Sequence, residues 1–149
     1  MGKELLNTFD KELLLKDLCG RLPYEVKVRY SSYEKFITCT LHSINPTYNT
    51  VDLWSEKACF TSVNISKIKP YLFPMSSMTE EQRKELDELG LGFYVTCQDI
   101  DDDGYIWDEK VFSMIPCTET DDWINANHFD YRGLIEKGLA IDCTNLNIY

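Results

Sequence analysis

Nowhere does the chain run to 18 consecutive apolar residues, so no segment is fit to span a bilayer as a helix. Cysteine occurs six times, at Cys19, Cys39, Cys59, Cys97, Cys117 and Cys143, but never as a CxxC pair. That spacing offers neither a zinc knuckle nor the compact disulfide framework of a secreted mini-domain. It predicts reduced thiols serving as small buried hydrophobes. Histidine is scarce, and His42 and His128 stand apart from any second soft ligand. There is no GxSxG, no Walker loop, no Rossmann glycine fingerprint and no HExxH. With no catalytic constellation in view, the expected function is non-enzymatic. The opening MGKELLNTFDKELLLKDL mixes charges into its leucines, unlike a secretion signal, so the expected setting is cytoplasmic.

What is present is enough for one packed unit. The 149 residues are 44% hydrophobic and 13% aromatic, which suits a globule with a real core rather than a disordered chain. Net charge is −10, unevenly placed. Residues 1–74 carry 10 Lys+Arg against 8 Asp+Glu, a net of +2, and residues 75–149 carry 5 against 17, a net of −12. The change falls at FPMSS, residues 73–77, after Pro70 and Pro74. A linker or a change of layer is expected there, with 1–74 as helix plus small β-subdomain and 75–149 as an acidic α+β segment packed on it.

The first half has a readable order. Leu14, Leu18 and Leu22 recur every four residues, with Phe9 and Leu13 beside them, which predicts an amphipathic helix over about 9–20, stopped by Gly20 and Pro23. YEVKVRY then alternates strictly, with Tyr24, Val26, Val28 and Tyr30 on one face. FITCTLHSI is a second strand with Ile37, Cys39 and Leu41 inward; TVDLW is a third; CFTSVNISKI supplies a fourth and a fifth, ended by Pro70 and Pro74. The expected fold class is α+β: an N-terminal helix, a small β-barrel or bent antiparallel sheet, then a helix, an acidic hairpin and short C-terminal helices. The strand order resembles the Sm-like barrel, through Val26-Lys27-Val28, Ile37 to Ile44, Val51-Asp52-Leu53 and Ile65 to Pro70. That family binds RNA and forms rings. Its paired Gly and Asp/Asn pocket residues are not evident here, so the resemblance implies shape rather than activity.

In the second half, Thr79 and Gln82 form a capping box, and Glu80 and Glu81 suit the helix dipole, which predicts a helix over about 79–89 ended by Gly90. DIDDDGYIWDEK, residues 99–110, opens like a calcium loop: Asp99, Asp101, Asp103, Gly104 and Ile106 fall in register, but Lys110 stands where the bidentate Glu belongs. Its flanks, FYVTCQ and YIWDEKVF, favour strands, so an acidic hairpin tip is the preferred reading. A weak calcium or magnesium site, with Asp99, Asp101, Asp103, the Tyr105 carbonyl and Glu109 as ligands, is the alternative. In WINANHFDYRGLIEKGLAID, Thr120 or Asp121 is expected to cap a helix through Phe129. Asp130 is expected to cap another through about Glu136, ended by Gly138, before an edge strand at Leu139-Ala140-Ile141. Trp123, Asn125, Asn127, His128, Phe129, Asp130, Tyr131 and Arg132 are a dense set of specific side chains. They read either as core (Trp123, Phe129, Leu134, Ile135) with Asp130 and Arg132 as cap and ion-pair partner, or as a binding surface built from Trp123, Asn127, His128, Asp130, Tyr131 and Arg132.

Three blocks, KDLCGRLPYEVKV, IKPYLFPMSSMTEE and WINANHFDYRGLIEKGLAID, resemble an uncharacterised protein family encoded by phages, prophages and mobile elements of gut anaerobic bacteria. The resemblance implies a setting, that of a small accessory protein, and no mechanism, cofactor or catalytic residue. The expected function is therefore binding. The leading partner is a basic protein of host or phage, steered by the acidic half and its patch Asp101, Asp102 and Asp103. The alternatives are a nucleic acid or nucleotide held by Lys27, Arg29, Lys67 and Lys69 of the first half, against which the overall charge weighs, and the weak divalent-ion loop. No membrane partner is expected, and the oligomeric state is open.

Overall fold

A computed structural model describes residues 6–98 and 118–149. It has the expected α+β class. Helix α1, Thr8–Arg21, starts at Asn7, whose side chain accepts the Asp10 N–H at 2.8 Å. Leu14 and Leu18 are fully buried, but Phe9 is 67% exposed and lies off the stripe expected to include it. Gly20 does not stop the helix, which runs on to Arg21 and into a 3-10 turn, Leu22–Tyr24, where Pro23 is tolerated at the start of the turn. Gly20 serves instead for close approach: a Cβ there would sit 3.2 Å from the Asn125 amide nitrogen. The reversal comes at Glu25, in the left-handed region at φ 54°, so Tyr24 is turn rather than strand.

Five strands follow: β1, Lys27–Ser32; β2, Lys35–Asn45; β3, Thr50–Trp54; β4, Cys59–Asn64; β5, Ile68–Pro74. They pair antiparallel in the order β4-β3-β2-β1-β5. The meander is a bent, open sheet and not a closed barrel: among the described residues β4 pairs on one side only. Two bulges bend it, one in β2 between Leu41 and Ser43 and one against β4 opposite Val51 to Leu53. Asp52 on β3 holds both, accepting the Ser43 hydroxyl at 2.9 Å and the Ser62 N–H at 2.9 Å. These bonds, the Ser62 N–H foremost, keep its carboxyl below the usual value. Ser62 itself is at φ 51°, as a bulge residue can be.

Pro70 and Pro74 do not end the ladder; both lie in β5. Pairing with β1 closes at Val28↔Pro70, so the missing proline N–H falls on the terminal rung. Beyond it β5 takes parallel partners from the C-terminal segment: β7, Ile141–Asp142, at Tyr71 and Leu72, and β6, Phe129–Asp130, at Phe73 and Pro74. The stretch expected as a linker is thus strand and 3-10 turn, Met75–Ser77, and β5 is shared by both halves. Continued, the β1–β5 register would set Lys27 opposite Tyr71. The Tyr149 hydroxyl occupies that rung, accepting the Lys27 N–H at 2.9 Å and donating to the Tyr71 carbonyl at 2.9 Å.

The capping box forms as expected: the Thr79 N–H donates to Gln82 Oε1 at 2.9 Å and the Gln82 N–H to Thr79 Oγ1 at 3.1 Å. Helix α2, Glu80–Gln98, however, passes through Gly90 and takes up FYVTCQ, which was expected as a strand. Glycine costs a helix only about 1 kcal/mol, and each added residue gains a backbone bond, so an established helix can override weak β preference. The acidic hairpin, the patch Asp101, Asp102 and Asp103, and the metal set Asp99, Asp101, Asp103, Tyr105 and Glu109 lie outside the described residues. No described helix is long and apolar enough to cross a membrane.

Helix α3, Thr118–Ala126, begins before the expected caps and ends three residues before Phe129, which lies in β6. Asp130 does cap backbone, accepting the N–H groups of Leu134 and Ile135 at 2.9 Å each. What it caps is a set of turns rather than a helix to Glu136, because Gly133 at φ 73° leaves the helical region. Leu14 and Leu18 lie on the inner sheet face with Val26, Val28, Leu41, Leu53, Ile65, Ile68 and Leu72, joined by Leu134 and Leu139. A smaller cluster sets Leu86 of α2 against Ile124 and Phe129.

Between these clusters sits a fully buried ion pair. Arg21 Nε donates to Asp17 Oδ2 at 2.7 Å and Nη2 to Oδ1 at 3.1 Å, one helical turn apart. Nη2 also donates to the Phe129 carbonyl at 2.6 Å, tying α1 to β6. Arg132, expected to pair with Asp130, instead lies 3.5 Å from Asp17. Burial pushes the Asp17 carboxyl up, opposed by the charge and hydrogen bonds of Arg21 and by the charge of Arg132. Asp17→Leu is expected to cost about 3–5 kcal/mol, since it strands a buried guanidinium. Asp17→Leu with Arg21→Met should cost less than Asp17→Leu alone, as read from urea midpoints; a double variant weaker than the single would show that the pair is not the source of the cost.

Candidate functional site

Two regions concentrate specific side chains. The first is the C-terminal segment. Trp123 stacks on Phe129, centroids 5.8 Å apart at 10°, and its indole N–H donates to Glu85 at 3.2 Å. Asn125 is buried against Gly20, and the Asn127 amide donates to the Trp123 carbonyl at 2.9 Å. Phe129 and Asp130 are buried. The Tyr131 ring lies beneath two guanidinium groups, Arg132 at 4.9 Å and Arg21 at 5.6 Å. His128, at φ 62°, stacks face to face on Tyr149, centroids 3.7 Å apart. The structure brings these eight residues together; Trp123, Asn127 and Asp130 bond within the chain, while Asn125 Oδ1, His128 Nδ1 and Arg132 Nε are buried without a hydrogen-bond partner.

His128 is the histidine of this set, and it is half-buried. Burial first, then the charges of Arg21 and Lys27, lower its pKa from 6.5 to about 4. The same burial pushes up the Tyr149 phenol and takes the Cys143 thiol up to about 11. Cys39 and Cys143 are buried as expected, whereas Cys19 and Cys59 are exposed; all four are free thiols.

The second region is the outer face of the sheet. With Ile37, Cys39 and Leu41 turned inward, Phe36, Thr38, Thr40 and His42 point outward. The registers set out what lies beside them. One row crosses Lys69, Arg29 and Thr38; the next crosses Lys27, Thr40, Trp54 and Cys59. Three cations, Lys27, Arg29 and Lys69, therefore share one end of the face. Lys27 is anchored by a 2.7 Å bond from its ammonium to Thr40 Oγ1. Lys67, the fourth basic candidate, is exposed in the 3-10 turn Ile65–Lys67.

Two aromatic rings stand on this face. Trp54 is 52% exposed although His42 stacks on it, centroids 4.0 Å apart at 13°. Phe36 is 68% exposed although the Arg29 guanidinium covers one side at 4.2 Å. Each ring is thus held by a planar group behind it and open on its other surface. The β2 bulge sets up one stack, by turning His42 out beside Trp54. Neither ring stood out among the sequence candidates. The signal was there in parity: Trp54 alternates outward after Val51 and Leu53, and Phe36 outward before Ile37.

Beside this face a polar cavity of about 350 Å³ lies over the bulges, lined by Ser43, Asn45, Thr50, Asp52 and Ser62 among others. Its carboxylate is already bonded to Ser43 and Ser62. Ser43 donates to Asp52 rather than to His42, whose ring is stacked on Trp54. Among the described residues no three His, Cys, Asp or Glu side chains gather into a metal site. No protein-family model, no curated protein and no solved structure matches the chain.

The His128 shift has a defined sign. A histidine whose folded pKa lies below its unfolded one stabilises the fold fully above about 6.5 and loses that contribution as pH falls toward about 4. His128→Asn keeps a residue that tolerates the left-handed backbone and removes the titration. The variant is expected to be less stable at pH 7, through the lost stack on Tyr149, but to have a flatter stability profile between pH 6.5 and 4. Parallel profiles in thermal melts would remove His128 from the acid response.

Proposed function

We propose that this is a non-catalytic binding protein whose contact surface is the outer face of the five-stranded sheet. The observation that carries the reading is the pair of backed aromatic rings, Trp54 on His42 and Phe36 beneath Arg29, set in register with Lys27 and Lys69. Large rings held rigid yet exposed contribute contact area at little cost in side-chain entropy, which is the composition of an interface hot spot. The inner face is filled by α1 and the C-terminal turns, so this is the broad side of the sheet open among the described residues. The setting of a small phage-type accessory protein, from the resemblance of its three blocks, is compatible with such a role. The reading in which the acidic half steers a basic protein partner rests on composition, and the same experiment separates the two.

Wild-type protein drawn from its own host lysate, examined by native mass spectrometry, is expected to carry a bound component. Phe36→Ser with Trp54→Ser should lower its occupancy at least about five-fold while far-UV circular dichroism is unchanged. Occupancy that survives this double variant but falls on neutralising Asp101, Asp102 and Asp103 to Asn would transfer the contact surface to the acidic half.

A further inference from the structure

The geometry points to single-stranded nucleic acid as the ligand of this face, an inference that rests on the reading above that the face is the contact surface. Its elements are those by which proteins hold unpaired strands: open π-surfaces for bases and cations alongside for phosphates. Along β2, Phe36 and Thr40 are four residues apart, so Phe36 and the Trp54 ring beside Thr40 lie about 14 Å apart at the rise of an antiparallel strand. Two bases of one short extended strand can reach both. Between and beside the rings lie Arg29, Lys27 and Lys69, and Thr38 and Thr40 supply hydroxyls that can bond sugar or phosphate.

The charges on the face favour this occupant over a basic protein. Its three cations would repel such a partner and complement a phosphate backbone, while the carboxylate on the same side of β3, Asp52, is already taken up by Ser43 and Ser62. Stacking on Trp54 and Phe36 also requires a base free of its duplex neighbours, so a single strand fits and a double helix does not. The net charge of −10 acts at longer range and is screened beyond about 10 Å at 0.1 M salt, so contact terms decide the affinity. Arg29 Nε is buried with no hydrogen-bond partner, consistent with a guanidinium held flat by Phe36 rather than by a carboxylate.

The test is fluorescence anisotropy of labelled oligothymidine and oligouridine of about ten nucleotides, a length within the site sizes of sheet-face binders. At about 0.1 M salt, where the net charge is screened, the wild-type protein should bind, and log K should fall with log salt above that at a slope of about −2, since three phosphate contacts each contribute about 0.7. Trp54→Ala and Phe36→Ala should each weaken binding at least about five-fold. Lys27→Ala with Lys69→Ala should bring the slope to about −0.7. A duplex of the same length should compete poorly. No anisotropy change at about 0.1 M salt, or binding indifferent to Trp54 and Phe36, overturns the inference. If the lysate component is a protein that depends on Trp54 while the oligonucleotides fail, the ligand class falls and the contact surface stands. If neither depends on Trp54 or Phe36, both fall.

Discussion

A guanidinium at zero exposure in the middle of a small protein sets the terms for the rest of this fold. Burying Arg21 costs several kcal/mol unless its donors are used, and Asp17 alone takes two of them. The third bond, to the Phe129 carbonyl, comes from a residue 108 positions away. That bond exists only when the C-terminal segment is docked on α1, and even then Nη1 stays buried without a hydrogen-bond partner. Tyr131 and Arg132 complete the enclosure, one offering its ring face and the other a second cation near Asp17.

That docking explains why β5 is the strand that joins the two halves although it carries two prolines. Its first half belongs to the meander and its second half to the C-terminal strands, with the Tyr149 hydroxyl bridging the rung where one partner gives way to the next. The inner sheet face is thereby covered from both ends of the chain. The polar parity of β1, β2 and β3 is left on the other side, where Lys27 is bonded to Thr40 and the Phe36 and Trp54 rings are backed by Arg29 and His42.

Much of the first half was legible in the sequence because its amphipathic periods are clean. Val26-Lys27-Val28, Ile37-Thr38-Cys39-Thr40-Leu41 and Val51-Asp52-Leu53 alternate without ambiguity, and the Thr79–Gln82 box is a local signal that needs no tertiary context. What escaped depended on distant contacts. Gly20 reads as a helix stop, yet its role is set by Asn125, which no local pattern reveals. Pro70 reads as a terminator until the handover from β1 to β7 shows its N–H would fall on a terminal rung. Arg132 was paired with its near neighbour Asp130, whereas its partner is Asp17. Trp54 and Phe36 were passed over because an aromatic at a strand end reads first as core, and only the pairing registers reveal that both stand outside among cations.

Cys59 and Cys19 offer a direct check on the sheet face, since both thiols are exposed, one paired with Trp54 across the outer face and the other on α1. The measurement is the rate at which each is alkylated, followed by peptide mass spectrometry, with and without saturating oligothymidine. Protection of Cys59 with Cys19 unchanged is the expected result. Equal labelling of Cys59 in the free and saturated protein would contradict the claim that this face is where the protein meets its ligand.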